Sequence, residues 1–144
     1  MQVRDVLKSK GGRVITIEHD AKVSDAIARL VQNNIGTLPV VDGDGRLIGM
    51  FSERDVLRGI HNRGEGLCRV KVAEVMTPNP VTCEPGDDVK DVMGQMSESR
   101  IAKVPVLSNF RLVGIISVGD VIKVLYEKVN SDNQHLMEYI HGAY

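Results

Sequence analysis

The sequence predicts a mixed α/β (α+β) protein built from two copies of one βαββα unit, packed face to face as a pseudo-twofold pair. Three observations carry this. One pattern of residues occurs twice along the chain. Within each copy, helical hydrophobic spacing alternates with short apolar runs bounded by turn residues. The composition, 42% hydrophobic and 26% charged over 144 residues, is that of a globular protein. Each half alone buries little surface, so the copies are expected to pack on each other.

The elements follow in order. A lead-in, Val3-Arg4-Asp5-Val6-Leu7, resembles Val72-Ala73-Glu74-Val75-Met76. The first strand, Val14-Ile15-Thr16-Ile17-Glu18, matches Pro80-Val81-Thr82-Cys83-Glu84. Next, Val23, Ala26, Ile27, Leu30 and Val31 fall at i, i+3, i+4, i+7 and i+8, which predicts a helix with one buried face. Val89, Val92, Met93 and Met96 repeat it. The strand Ile35-Gly36-Thr37-Leu38-Pro39-Val40 matches Ile101-Ala102-Lys103-Val104-Pro105-Val106. Asp42-Gly43-Asp44-Gly45 is hairpin chemistry, because Gly and Asp reach positive φ at low cost. Its counterpart is Ser108-Asn109-Phe110. Return strands Arg46 to Phe51 and Arg111 to Ile116 lead into helices predicted from about Ser52 to Ile60 and from Val118 to Lys128.

The boundaries drawn from this are residues 1–62 for the first repeat, 63–70 for a glycine-bearing linker, 71–130 for the second repeat and 131–144 for a tail. Leu136, Met137, Tyr139 and Ile140 make the tail a separate short amphipathic docking helix.

Composition narrows the function. The net charge of −1 offers no electrostatic footprint for nucleic acid. No apolar run approaches the roughly 20 residues of a membrane span, and no secretory signal opens the chain. Cys68 and Cys83 have no metal or redox spacing and read as free thiols, so the expected compartment is the cytoplasm. No nucleophile elbow, phosphate-binding P-loop or H-E-x-x-H motif is present. The chain is therefore not expected to be an enzyme, nor to need a catalytic cofactor or metal.

Both copies carry a glycine, two apolar residues, a serine and an aspartate three positions later: Gly49-Met50-Phe51-Ser52-Glu53-Arg54-Asp55 and Gly114-Ile115-Ile116-Ser117-Val118-Gly119-Asp120. These segments, the tandem order and the apolar-Pro-Val strands resemble the cystathionine-β-synthase-type (CBS) domain family, over residues 3 to 128. The chain looks like a stand-alone two-CBS pair. The resemblance implies a regulatory module that binds an adenosine ligand (AMP, ADP, ATP, NAD or S-adenosylmethionine) between its repeats and pairs into homodimers.

Two readings fit the Ser-x-x-Asp segments. As a capping box, the serine accepts an orphan N–H and the acid favours the positive helix end. As a ligand site, the same helix end attracts phosphate, the hydroxyl donates to it, and the acceptor-only Asp suits the two hydroxyls of a ribose. Ser52, Asp55, Ser117 and Asp120 are therefore candidate nucleotide contacts. Arg54, within the first turn of its helix, is a candidate phosphate partner, and its pairing with Ser52 favours the Asp55 site. A second phosphate on Arg54 would make NAD the main alternative to AMP. Repeat 2 has Gly119 there; by the resemblance, Lys103, aligned with Thr37, is the basic residue that meets phosphate on that side. By the resemblance, the adenine slot falls to Thr16, Ile17, Thr37, Leu38, Thr82, Cys83 and Val104. The competing reading of each apolar member is core.

Overall fold

The computed structural model describes residues 1–142. It contains helices α1 (Val3–Lys10), α2 (Val23–Asn33), α3 (Glu53–Arg63), α4 (Val89–Ser99) and α5 (Val118–Gly142). The strands are β1 (Ile17–Glu18), β2 (Thr37–Val41), β3 (Leu47–Ser52), β4 (Thr77–Pro78), β5 (Lys103–Ser108) and β6 (Arg111–Ser117). Two 3-10 turns, Gly64–Arg69 and Val72–Glu74, fill the stretch read as linker and lead-in. One sheet runs β1-β2-β3-β4, with β1 parallel to β2 and the other pairs antiparallel. The other is the β5-β6 hairpin.

The predicted patterns produce these elements, and the two copies match in detail. Helix α2 buries Val23, Ala26 and Leu30, and α4 buries Val89, Val92 and Met96. Each ends in a left-handed residue, Asn34 at φ 52° and Arg100 at φ 54°. Asp42 Oδ1 accepts from the backbone N–H groups of Asp44 and Arg46, which fixes the first hairpin. The second turns on Asn109 and Phe110, both at positive φ.

Three expectations need correction. Val31 is 74% exposed, because the buried stripe of α2 is narrower than its hydrophobic spacing suggests. Thr82 and Cys83 form no strand; only the bridge from Cys83 to Val106 stands where β1 stands in the first repeat. The tail is no separate helix: α5 runs unbroken from Val118 to Gly142, since after Gly119 in its first turn no proline or glycine occurs before its end. Residues 143 and 144, and the side chains of 141 and 142, lie outside the described residues.

Packing crosses the boundaries that follow the chain. Val3 and Val6 are fully buried in the core of the second repeat, with Val89, Val92, Met96, Val104 and Ile116. Leu67 and Val72 are buried in the core of the first, with Ile17, Val23, Leu38 and Phe51. Each lead-in is bonded to the opposite copy in the same way. Val3 N–H donates to Asp87 C=O and Arg4 N–H to Pro85 C=O. In the other copy Val72 N–H donates to Ala21 C=O and Ala73 N–H to His19 C=O.

The motif glycines accommodate these crossed segments. A Cβ on Gly49 would lie 2.5 Å from the Met76 sulfur and 2.9 Å from the Thr77 carbonyl oxygen. One on Gly114 would lie 2.6 Å from a Leu7 methyl. Leu7 and Met76 are the matching residues of the two lead-ins. The glycine is thus needed for close approach, at the same place in both repeats.

Candidate functional site

The two Ser-x-x-Asp boxes fold alike and differ in what covers them. In both, the serine N–H donates to the aspartate and the aspartate N–H donates back to the serine Oγ, at the start of α3 and of α5. The capping reading therefore holds for both.

Asp55, the expected ribose acceptor of the favoured site, is closed off. It is 2% exposed, the buried polar side chain among the described residues. Its Oδ2 accepts from Ser52 N–H at 2.9 Å and Ser52 Oγ at 3.2 Å. Its Oδ1 accepts from Thr77 Oγ1 at 2.9 Å and Arg58 Nη1 at 3.2 Å. The cause is β4: Thr77 and Pro78 pair with Met50 and Gly49 and lay the lead-in over the acid. Arg54 stands exposed on α3, and it is Arg58, one turn on, that pairs with Asp55.

Asp120 is different. After α1 the chain breaks at Gly11 and Gly12, with φ of 62° and 83°, and leaves β6 without a third strand. A cavity of about 360 Å³ opens there. Leu7, Val14, Ile15, Ile35, Val113 and Ile115 form its apolar lining. Its polar groups are Thr37, Ser117 and Asp120, with the cations Lys10, Arg13 and Lys103. Both repeats contribute, since Thr37 opens β2 and Lys103 opens β5. Lys10 Nζ lies 2.9 Å from Asp120 Oδ2 and 3.0 Å from the Ile115 carbonyl oxygen. Burial pushes the Asp120 carboxyl up, but hydrogen bonds from Lys10 and Ser117 outweigh it and hold the group below its ordinary value.

Of the sequence candidates, the structure brings Thr37, Lys103, Ser117 and Asp120 together in this cleft. Ile17, Leu38, Cys83 and Val104 are core. Burial, with the Asp87 charge nearby, pushes the Cys83 thiol up to about 12. Thr16 is half-buried outside the cleft, where its carbonyl accepts from Arg29. Thr82 is half-buried and also outside. Sequence reasoning misses Lys10, Arg13, Val14 and Ile15. Their signal is the Lys8-Ser9-Lys10-Gly11-Gly12-Arg13 run, basic and glycine-rich, which reads as a mere length difference between repeats. A second concavity, between α2 and α3, is lined by Ile27, Leu30, Val31, Val56 and Leu57, with Glu53 its charged group. It has no cation for a phosphate.

Comparison with known proteins agrees with the tandem fold. The CBS domain family profile matches residues 3–62 and 72–127. The chain is 34% identical to CBS domain-containing protein CBSX3, mitochondrial, of Arabidopsis thaliana, over 99% of its own length and 73% of that protein. Several longer relatives are spanned for less than half their length. Among solved structures, a CBS-domain containing protein from Agrobacterium tumefaciens superposes with a TM-score of 0.81 at 36% identity, covering 86% of this chain and 98% of that one. The CBS domain pair of protein MJ0100, in complex with 5′-methylthioadenosine and S-adenosyl-L-methionine, superposes with a TM-score of 0.77 at 28% identity, covering 89% and 98%. Among the described residues, no helix is long and apolar enough to cross a membrane.

Proposed function

Since the chain belongs to the CBS-domain family and folds as a tandem pair of such repeats, we propose that it is a sensor module that holds an adenine nucleotide of the AMP, ADP and ATP class at Asp120 and has no catalysis of its own. One observation carries this reading: apolar walls, a ribose-type acceptor and three cations converge in a single cleft between the repeats. The apolar lining suits a purine face. Asp120 is an acceptor for adjacent ribose hydroxyls. Lys10, Arg13 and Lys103 outnumber the one carboxylate and suit phosphate.

The relative MJ0100 supports the adenosine part, since its pair holds two adenosine compounds. The charge of the present cleft favours an anionic member of that class over the neutral methylthioadenosine or the sulfonium of S-adenosylmethionine. The NAD alternative depends on Arg54, which is outside the cleft. Exposed apolar side chains on helices, Val31 and Leu57 on one repeat and Ile122, Leu125, Tyr126 and Val129 on the other, support a homodimer.

The test is a calorimetric panel of AMP, ADP, ATP, NAD and S-adenosylmethionine. Saturable binding of the phosphate compounds, lost in Asp120→Ala and kept in Asp55→Ala, is the expected result. A protein that binds none of them at millimolar concentration has another function.

A further inference from the structure

The group best placed to hold a ribose is already engaged. Lys10 Nζ sits on Asp120 Oδ2 at 2.9 Å, and a second bond to the Ile115 carbonyl at 3.0 Å holds it across the cleft. A ligand that takes both carboxylate oxygens of Asp120 must displace this ammonium from Oδ2. The displaced charge needs an acceptor, and no other carboxylate lines the cavity.

The backbone around Lys10 is built to let it move. Lys10 ends α1, whose start is anchored by the fully buried Val3 and Val6. The next two residues are Gly11 and Gly12, in the left-handed region, with no neighbouring atom within 4 Å of where a Cβ would stand. The Lys10 side chain is 40% exposed, so it can swing without repacking the core.

We propose that Lys10 is an internal competitor for Asp120 and the element that selects phosphate-bearing ligands. In the empty cleft its ammonium occupies one oxygen, Oδ2, of the ribose acceptor. A neutral nucleoside breaks that pair and offers nothing in exchange. A nucleotide breaks it and supplies a phosphate to receive the ammonium, so the charge moves from one anion to another. Selectivity for phosphate then comes from a cost imposed on every ligand and recovered only by anionic ones. This inference rests on the nucleotide reading above.

Adenosine and AMP, which differ by the phosphate alone, test it in the full-length protein. Lys10→Met keeps the apolar stem and removes the charge. Calorimetry should show adenosine binding tightened about 2- to 5-fold, the range for a half-exposed ion pair no longer competing. AMP should weaken by a net of about 2-fold or more, since loss of a charged hydrogen bond, roughly 10-fold or more, is partly offset by the same relief. Lys103→Met removes a cation that makes no bond to Asp120; it should weaken AMP and leave adenosine as in the parent. Thermal melts confirm that both variants fold. Adenosine binding unchanged or weaker in Lys10→Met overturns the competition, as does equal tightening in Lys103→Met. Failure of the parent itself to bind AMP is a different outcome: it removes the nucleotide reading, and this inference with it.

Discussion

Removing each aspartate in turn should give opposite results, although the two occupy the same position in their repeats. In Asp55→Ala the lost groups are structural. The variant loses the half of the α3 capping box in which Ser52 N–H donates to Asp55, while Ser52 Oγ still caps the helix. It also leaves the Thr77 hydroxyl and the Ser52 N–H without their buried acceptor, at roughly 1–3 kcal/mol for an unsatisfied group. The sum, allowing for partial rehydration, is about 2–4 kcal/mol. At about 2–4 °C per kcal/mol for a chain of this size, the melting temperature should fall by roughly 4–16 °C. AMP affinity of the folded protein should stay within about 2-fold of the parent, because Asp55 faces no cleft.

In Asp120→Ala the stability loss should be roughly 0.5–2 kcal/mol, for the bond from Ser117 N–H and the half-exposed pair with Lys10, while AMP binding weakens about 10-fold or more through loss of the ribose acceptor. The assays are urea melts of the empty proteins and calorimetric titration under conditions where each variant is folded. If Asp55→Ala weakens AMP as much as Asp120→Ala does while melting like the parent, the assignment of the ligand to the open cleft is wrong.

Other outcomes follow from packing and titration. Gly49→Ala should cost about 1–3 kcal/mol, as overpacking does, because the new methyl meets the Thr77 backbone carbonyl; Gly114→Ala should cost less, since only the flexible end of Leu7 must shift. Urea midpoints of the two compare them, and equal costs would count against the backbone argument. Iodoacetamide should modify the exposed Cys68 promptly and the buried Cys83 only after denaturation; mass spectrometry reading two rapid adducts on the native protein would contradict the packing. The Asp120 carboxyl lies below its ordinary value of 3.8 when folded, so its stabilisation is present above that value and is lost as pH falls through the folded one. Parent and Asp120→Asn should therefore differ in melting temperature near pH 6 and converge in stronger acid. Sedimentation at tens of micromolar, an order-of-magnitude range for modest interfaces, should show a dimer, and a persistent monomer would remove the helix-face interface.

Local chemistry made the repeat legible: hairpin turns, helix spacing and capping boxes are each encoded within a few residues, and all of these formed. The course of the lead-ins is not encoded locally. Nothing in Val3-Arg4-Asp5-Val6-Leu7 says which of two similar cores it enters, because either buries the same apolar stripe. That choice decides the site. Ser52, Arg54 and Asp55 look better equipped than Ser117, Gly119 and Asp120 when read as a motif. Thr77 and β4 close the first box, and the Gly11-Gly12 break opens the second. Lys103 and Thr37 were readable because they stand at strand starts. Lys10 was not, being 110 positions from the acid it meets.

The exchange of lead-ins also bears on how the chain is made. Synthesis runs from the N-terminal side, yet the first core cannot close when its own strands and helices have left the ribosome. It waits for Leu67 and Val72. Val3 and Val6, made about 100 residues before the strands they join, have no native place to pack until Val104 and Ile116 emerge. During that interval the amphipathic α1 is a free apolar stripe beside an incomplete protein. Contacts of such long sequence separation slow folding. The first core is thus complete once Val72 and Met76 are available, while the second waits for its last strand, so the two cores should close in succession.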